Sequence, residues 1–576
     1  MRTTAALGSL LALSAAVAGV AAVTSRPVPS APPPAAKPVR LAVLVVFDQM
    51  RGDYLARWRP LFGPNGFARL QRDGAWFTHC HYPYGVSTTG PGHASMLTGA
   101  CADAHGIVDN EWAENFGGPR VYCAGDPRYW FVPGAKPAKA KNAGTPERLK
   151  SETVADVLKV ARGPGAKVFG LSLKDRSAIL PTGRRPDGAY WFEGGAFGTS
   201  TYYRDRVHPW VESFNASKTA DRWFGTDWTA LLPEVDCDRW SGSADAEAGE
   251  GSGTGQGRTF PHPTAGAPAL GAKYYEALAR SPFGNELLLE LAKTCIDAEG
   301  LGADDVPDLL VVSFSSNDLI GHMWGPDSHE VLDVTLRSDK IVADLLAFLD
   351  DRVGPGRYLL GLTADHGVCP LPEVSKARGV APEAARVDTA LMKKRIDAVL
   401  SAKFPALRPK DKDASWVDSI PAPWVNLNSK LIAATGKARA EIAELAAKAL
   451  QPDPPKTDQD LRVVRTFTRA ELAGTFPEAD AVANRAKRSF HPSRCGDVYV
   501  VLEPYSLPAP RISTGTTHGS PYNYDTHVPL LVYGPGVRGG AQAEPTTPQA
   551  MASIFAKWLN VPRPKDAAFP LPKALE

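Results

Sequence analysis

Three carboxylates and three imidazoles, placed in short and widely separated segments, could bind metal ions. They are Asp48, Asp318, His322, Asp365, His366 and His518. They divide into two sets of three, and each set would leave a coordination position open. Oxygen and imidazole ligands without a thiolate favour zinc over copper or iron–sulfur chemistry. The residue types therefore predict two zinc ions, which together could clamp the attacking and leaving oxygens of an in-line displacement.

Each pair of these residues also has an ordinary explanation when it is taken alone. Asp318 and His322 are four positions apart, and Asp365 and His366 are adjacent. Either pair could be a helix cap or a solvated surface pair, and an isolated His518 would carry no information. The metal hypothesis depends on all six side chains meeting in space.

A segment of three hydroxyls offers a candidate nucleophile. Ser87, Thr88 and Thr89 stand directly before a Gly-Pro-Gly turn. A free hydroxyl is a poor nucleophile at neutral pH, but coordination to zinc favours its alkoxide. Chemistry alone does not separate the three hydroxyls, and a Ser/Thr turn is the structural alternative. No Gly-x-Ser-x-Gly elbow surrounds Ser95, so a serine esterase triad is unsupported.

Asn110, Lys174 and Arg176 are suited to holding a phosphate group. A lysine and an arginine beside the phosphate would favour a monoester dianion over a diester, and the Asn110 amide would donate to another phosphate oxygen. The alternative for Lys174 and Arg176 is a solvated, charged turn.

The elements that must position these residues belong to an α/β fold. Apolar runs end directly before, or a few residues short of, polar candidates, and they predict buried strands at 41–47, 167–173, 309–314 and 358–362. Helices are predicted between them or after them at 151–161, 283–298, 332–351 and 548–559, the last capped by Thr546 or Thr547. We expect a central, mostly parallel sheet flanked by helices, with the site at the carboxyl ends of its strands. Two cap-like insertions are predicted at about 181–305 and 370–510.

Composition and the N-terminus predict an exported protein. An apolar run at about 5–23 indicates a signal peptide (1–22), followed by a Pro/Ala-rich linker (23–38) and a catalytic domain (39–576). A membrane anchor is the alternative for the apolar run. We expect the mature protein to be periplasmic or secreted, to have no stable membrane insertion, and to be a monomer. A net charge of +2 over 576 residues predicts no nucleic-acid-binding surface. Seven cysteines in an exported chain predict disulfides, with at least one thiol unpaired.

Seven motifs carry a resemblance to a known family, which runs from about residue 39 to residue 559. They are FDQMR (47–51), TTGPGHAS (88–95), HGIVDN (105–110), LSLKDR (171–176), DLIGHMWGP (318–326), ADHG (364–367) and HGSP (518–521). On these motifs the sequence resembles the alkaline phosphatase superfamily, and within it the PafA-like bacterial phosphatases with a threonine nucleophile. It resembles the nucleotide pyrophosphatase/phosphodiesterases more distantly.

The resemblance implies a role for each candidate. Thr89 heads the Thr-x-Pro-x-His pattern as the nucleophile, and Asn110 follows at the spacing the pattern expects. Of the two implied zinc ions, one is held by Asp318, His322 and His518, and the other is surrounded by Asp48, Asp365, His366 and Thr89. Lys174 and Arg176 match the PafA-like Lys-x-Arg motif, which the diesterase relatives lack.

The expected activity is that of a zinc-dependent alkaline phosphatase, which hydrolyses phosphate monoesters through a phosphothreonine. Sulfatases share the fold but need Cys or Ser followed by x-Pro-x-Arg, whereas Thr89 is followed by Gly-Pro-Gly-His. One alternative is a phosphodiesterase or nucleotide pyrophosphatase with the same two metals. Another is a non-catalytic periplasmic protein that binds phosphate or metal.

Overall fold

The structure is a computed structural model that describes residues 38–115, 117–134, 143–266, 268–407, 415–451, 461–509 and 513–576. The predicted signal peptide, and the predicted linker up to residue 37, lie outside the described residues. Within the described part of the chain, no helix combines the length and the apolar character needed to cross a membrane.

The largest sheet of the described residues has ten strands. In chain order they are β1 (Leu41–Phe47), β2 (Ala75–Phe77), β3 (Phe131–Val132), β4 (Val168–Ser172), β5 (Gly188–Glu193), β6 (Ala196–Ser200), β7 (Asp308–Phe314), β8 (Tyr358–Thr363), β9 (Leu530–Tyr533) and β10 (Gly540–Gln542). Their spatial order is β10-β2-β9-β8-β1-β7-β4-β5-β6-β3. The five central strands, from β8 to β5, run parallel to one another, which confirms the expected mostly parallel sheet.

Each of the four strands predicted from an apolar run is present, and each end agrees to within one residue. Every position of β1, β7 and β8 is buried. A strand that is buried at every position must be covered on both faces of its sheet, which is why it reads as an uninterrupted apolar run.

Helices surround this sheet. Those outside the second long stretch are Tyr54–Arg57, Phe67–Asp73, Thr89–Thr98, Ala102–His105, Val154–Arg162, Asp175–Ile179, Pro209–Ala216, Glu234–Ser241, Ala272–Ala279, Pro282–Glu299, Ser316–Trp324, His329–Arg352, Asn523–Thr526 and Ala550–Trp558. Short 3-10 turns occur at Arg59–Leu61, Gly163–Gly165, Thr219–Asp221, Pro405–Leu407 and Lys573–Leu575.

The predicted cap of the last helix is wrong. The residue before Ala550–Trp558 is Gln549, and its side chain makes no capping hydrogen bond. The Thr547 hydroxyl donates to the Gln549 side chain instead. Tertiary packing of a largely buried helix replaces the local cap.

The two long stretches relate differently to the main sheet. The first, 181–305, contributes β5 and β6 to it, and much of its aromatic content is packing, since Tyr190 and Trp228 are fully buried. The second, 370–510, has a four-stranded sheet of its own, with strands Val417–Ser419, Trp424–Leu427, Val498–Leu502 and Val463–Thr468. Its helices are Pro372–Ala377, Thr389–Lys403, Ser429–Ala434, Arg439–Leu450, Arg469–Ala473 and Ala481–Arg488.

Small two-stranded pairs complete the fold. They are Glu111–Ala113 with Arg120–Tyr122, Gly125–Asp126 with Ala143–Gly144, Asp227–Trp228 with His262–Pro263, and Arg386–Asp388 with Leu507–Ala509.

The expected disulfides are wrong. All seven cysteines lie in described residues, and each is a buried, free thiol. They are distributed over separate regions of the hydrophobic core, for example Cys295 in the main core and Cys495 in a second cluster. Here the cysteines pack as small apolar side chains, and burial raises the pKa of the Cys295 thiol well above its ordinary value.

Candidate metal-dependent active site

The carboxyl ends of four neighbouring parallel strands bring the predicted site residues together. Asp48 directly follows β1, and its backbone N–H still bonds to Phe314 at the end of β7. Lys174 lies just beyond β4, and Asp365 lies just beyond β8. Because parallel strands end at the same edge of a sheet, side chains distant in sequence meet in one crevice.

Asp318, His322 and His518 form the first candidate metal group. Asp318 and His322 lie four residues apart on the helix α1 (Ser316–Trp324), so their side chains share one face. The Oδ1 atom of Asp318 is 3.2 Å from His322 Nε2 and 3.7 Å from His518 Nε2.

Asp48, Asp365 and His366 form the second group. His366 Nε2 is 3.5 Å from Asp48 Oδ1 and 3.3 Å from Asp365 Oδ2. Both of these carboxylate oxygens are buried and have no hydrogen-bond partner. In a tetrahedral zinc site, ligand atoms about 2.0–2.1 Å from the ion stand about 3.3 Å apart, so the spacing fits zinc.

The three histidines present the same ring nitrogen to these groups. The Nδ1 atoms of His322, His366 and His518 lie 2.7, 2.9 and 2.8 Å from the backbone carbonyl oxygens of Thr516, Gly367 and Ser87, respectively. A carbonyl can only accept, so Nδ1 carries a proton in each ring, and Nε2 is the atom turned toward the metal group. Protein ligands of zinc are commonly oriented in this way.

The charge balance of the crevice also favours a cation. Burial raises the pKa of Asp48 well above its ordinary value, and Asp318 and Asp365 raise it further. These three carboxylates share Lys174, whose Nζ is 2.7 Å from Asp48 and 2.5 Å from Asp318. Burial lowers the pKa of His366 and of His518, which favours the neutral rings that bind metal, whereas Asp318 outweighs burial and raises the pKa of His322.

Thr89 is the first residue of the helix Thr89–Thr98, and it lies beside the second metal group. Its hydroxyl oxygen is 3.5 Å from His366 Nε2 and accepts a hydrogen bond of 3.4 Å from Arg176 Nη2. Close approach is possible because Gly92 has no side chain: a Cβ there would lie 2.3 Å from the Asp365 carbonyl oxygen.

The other two hydroxyls of the segment are engaged elsewhere. The Thr88 hydroxyl donates to Asp109, and the Ser87 hydroxyl donates to the Ser520 carbonyl. Of the three hydroxyls that the sequence left open, the Thr89 hydroxyl is the one in contact with both His366 and Arg176.

The predicted phosphate-holding residues border the same hydroxyl. The Asn110 side-chain carbonyl accepts from the backbone N–H of Gly90 at 2.8 Å, next to Thr89. Arg176 is on the short helix that follows Lys174. Burial lowers the pKa of its guanidinium, but Tyr122, Cys123 and Asp175 outweigh burial and hold that pKa above its ordinary value. The structure thus brings every predicted site residue to one crevice.

Two residues near the site were missed by the sequence analysis. Tyr122 donates to Asp175 at 2.5 Å and accepts from Arg176 Nη1 at 3.2 Å; no local motif marks it. Gln49 contacts a carboxylate in each metal group. Its place beside Asp48 in the FDQMR motif was the available signal.

An α/β sheet with two adjacent Asp/His groups at its carboxyl edge, and a hydroxyl next to an arginine, is an arrangement suited to metal-assisted hydrolysis. The model of the type I phosphodiesterase / nucleotide pyrophosphatase family matches residues 42–521. The chain belongs to this family, within the alkaline phosphatase superfamily, and it is a phosphatase-class hydrolase.

Several curated relatives and solved structures are similar over nearly the whole chain. Alkaline phosphatase PafA of Elizabethkingia meningoseptica is 33% identical over 92% of this chain and 93% of its own length. Alkaline phosphatase PhoV of Synechococcus elongatus is 32% identical over 91% of this chain and 90% of its own length. The crystal structure of wild-type PafA has a TM-score of 0.83 at 31% identity, covering 94% of this chain and 99% of that one.

Proposed function

We propose that the protein is a zinc-dependent alkaline phosphatase that hydrolyses phosphate monoesters through a phosphothreonine on Thr89. The observation that carries the proposal is the position of the Thr89 hydroxyl, which contacts His366 of one metal group and Arg176. Asp318, His322 and His518 would hold one ion, and Asp48, Asp365 and His366, with Thr89, would hold the other. Bound zinc ions would lower the pKa of the nucleophile and offset negative charge on the attacking and leaving oxygens.

The residues of the chain account for two in-line transfers. The Thr89 hydroxyl gives up its proton to solvent and its oxygen attacks phosphorus; the bond to the leaving oxygen breaks, that oxygen takes a proton from solvent, and the phosphoryl group is carried on Thr89. Water then attacks the phosphothreonine, which releases inorganic phosphate and restores the hydroxyl. Arg176 orients Thr89 and donates to a phosphoryl oxygen. Asn110 uses its carbonyl on Gly90, so its amide NH₂ serves a second phosphoryl oxygen.

Lys174 and Arg176 support a preference for monoesters. A monoester dianion offers more charged, unesterified oxygen than a diester, and two cationic donors in the same crevice favour it. Lys174 Nζ pairs with Asp48 and with Asp318, one carboxylate from each metal group, so its charge lies where the two groups meet.

The description of the matched family favours one rival, a phosphodiesterase or nucleotide pyrophosphatase with the same two metals. Kinetics on one purified sample separate the two. We expect kcat/KM for an aryl phosphate monoester to exceed that for the matching diester, with close to two zinc ions per chain by elemental analysis. A preference for the diester would favour the rival, and metal binding without turnover would favour a binding protein.

Removal of metal should abolish turnover. Exhaustive chelation is expected to remove phosphatase activity and to lower the melting temperature, because ions that bind only the folded chain stabilise it. Added Zn²⁺ should restore both, and calorimetry with activity assays checks this. Full activity in a metal-free sample would contradict the proposal.

Tyr122→Phe should impair turnover through Arg176. The change removes a hydroxyl that accepts from Arg176 and donates to Asp175. Loss of a hydrogen bond to a charged group predicts a fall in monoester kcat/KM of about 10-fold. Tyr129→Phe is the matched control, since its hydroxyl donates to Glu147 on the surface. Equal effects of the two variants would exclude this role for Tyr122.

We also propose an exported, monomeric enzyme, with a signal peptide at 1–22, a linker at 23–38, and a catalytic domain at 39–576. The insertions at about 181–305 and 370–510 would flank the crevice as caps. N-terminal sequencing of the periplasmic or secreted protein and light scattering test these proposals.

A further inference from the structure

We propose that Gln49 is a positioning residue that orients one carboxylate in each metal group, and that its side chain sets the metal affinity of the group containing Asp318. The inference rests on the proposed function, because it assumes that both groups bind zinc. No role was assigned to Gln49 from the sequence motifs. Contacts of Gln49 with one carboxylate of each metal group support the inference.

The backbone of Gln49 orients the second group. Its N–H donates to Asp365 Oδ1 at 3.0 Å. The other oxygen of the same carboxylate, Oδ2, is thereby turned toward His366 Nε2, 3.3 Å away, where it is buried without a hydrogen-bond partner. The hydrogen bond holds Oδ1 and leaves Oδ2, which also lies 3.2 Å from His93 Nδ1, to face an ion.

The side chain of Gln49 orients the first group. Its Nε2 donates to Asp318 Oδ1 at 2.7 Å, and this oxygen also lies 3.2 Å from His322 Nε2. Lys174 takes the second oxygen, Oδ2. Asp318 is thus held at both oxygens, and its rotation is restricted before a metal arrives. Partners of this kind commonly change metal affinity by about 10–100-fold.

Two local features serve this contact. Gln49 has φ of 69°, a left-handed conformation that residues with a Cβ rarely adopt. Gly321 lies on α1 between Asp318 and His322, and a Cβ there would stand 2.0 Å from Gln49 Oε1. The Gln49 side chain is 3% exposed. It fits against α1 because Gly321 has no side chain, and its own backbone is strained. Strain of this kind persists where the surrounding structure requires it.

If Gly321 had a purely structural role, Gly321→Ala would have a different effect from the one that this inference predicts. Gly321→Ala places a better helix former inside α1, so by helix propensity alone it should stabilise the protein. If the glycine exists to admit the Gln49 amide, Gly321→Ala should instead weaken metal binding. The effect should vanish when Gln49 is already replaced by glycine, since the added Cβ then meets no amide.

The test is zinc binding to the metal-free full-length protein, measured by competition with a chromophoric chelator. The variants are Gln49→Gly, Gly321→Ala and the double variant, with thermal unfolding of each metal-free protein. Gln49→Gly keeps the backbone N–H and suits the left-handed conformation. We expect it to lower the affinity for one of the two zinc ions by about 10–100-fold and to leave the affinity for the other close to that of the wild type. Gly321→Ala should lower the affinity for the same ion. The double variant should bind that ion no more weakly than Gln49→Gly does.

Gln71→Ala is the matched control. Gln71 is also 3% exposed, and its Nε2 donates to the Leu55 carbonyl. It should change stability but not zinc affinity. Wild-type affinity for both ions in Gln49→Gly, or fully additive losses in the double variant, would overturn the inference. A wild-type protein that binds no zinc would overturn the proposed function itself, and the two failures are therefore distinct.

Discussion

Thr89→Ala is expected to lower kcat/KM for phosphate monoesters by roughly 10⁴–10⁶-fold, the range for loss of a covalent nucleophile. The reason is geometric: among the hydroxyls of Ser87, Thr88 and Thr89, that of Thr89 lies against His366 and Arg176. Zinc content should stay near that of the wild type, because His366, Asp48 and Asp365 remain. Steady-state kinetics with elemental analysis, and mass spectrometry of the acid-quenched wild-type enzyme for phosphothreonine, check the expectation.

Thr88→Ala is the matched control for this prediction. The two threonines are adjacent in the chain, but the Thr88 hydroxyl donates to Asp109, whereas the Thr89 hydroxyl contacts His366 and Arg176. Its loss should cost stability and change turnover by about 10-fold or less. If Thr88→Ala abolished turnover while Thr89→Ala kept it, the assignment of the nucleophile would be wrong.

The double substitution Lys174→Ala and Arg176→Ala is expected to lower monoester kcat/KM by roughly 10³-fold or more, since a single donor to developing charge commonly contributes 10²–10³-fold. The matching diester should lose much less, because it carries less charge on its free oxygens. The expected result is therefore a change in the monoester-to-diester ratio. Parallel kinetics on the two substrates measure it.

Zinc content must be measured on the same sample, because Lys174 contacts Asp48 and Asp318. Lys159→Ala provides a matched control: this lysine is also partly buried, but it pairs with Asp187 rather than with a carboxylate of either metal group. It should leave the ratio unchanged. Equal losses on the monoester and the diester, at full zinc occupancy, would defeat the proposal that these two residues select monoesters.

The sequence predicted the parallel core of the fold because local signals and tertiary environment agree there. The run LAVLVVF at β1 is apolar at every position, and it is buried at every position. The cap of the last helix was predicted wrongly, since burial of Ala550–Trp558 stabilises it without a side-chain cap. Disulfides were also predicted wrongly, because a cysteine count contains no information on the distances between sulfur atoms.

By itself, the sequence determined the ligand types, the candidate hydroxyls and the strands that end near them, since these depend on residue identity and short-range periodicity. Tertiary structure decided what depends on distance. It separated Thr89 from Thr88, since the two hydroxyls differ in direction rather than in chemistry. It also turned the Nδ1 atoms of three histidines toward carbonyls, and it placed Gln49 between Asp318, on the helix that follows β7, and Asp365, just beyond β8. Several of these contacts, such as His518 with Ser87 and Gln49 with Asp318, join residues hundreds of positions apart, and no local pattern in the chain encodes them.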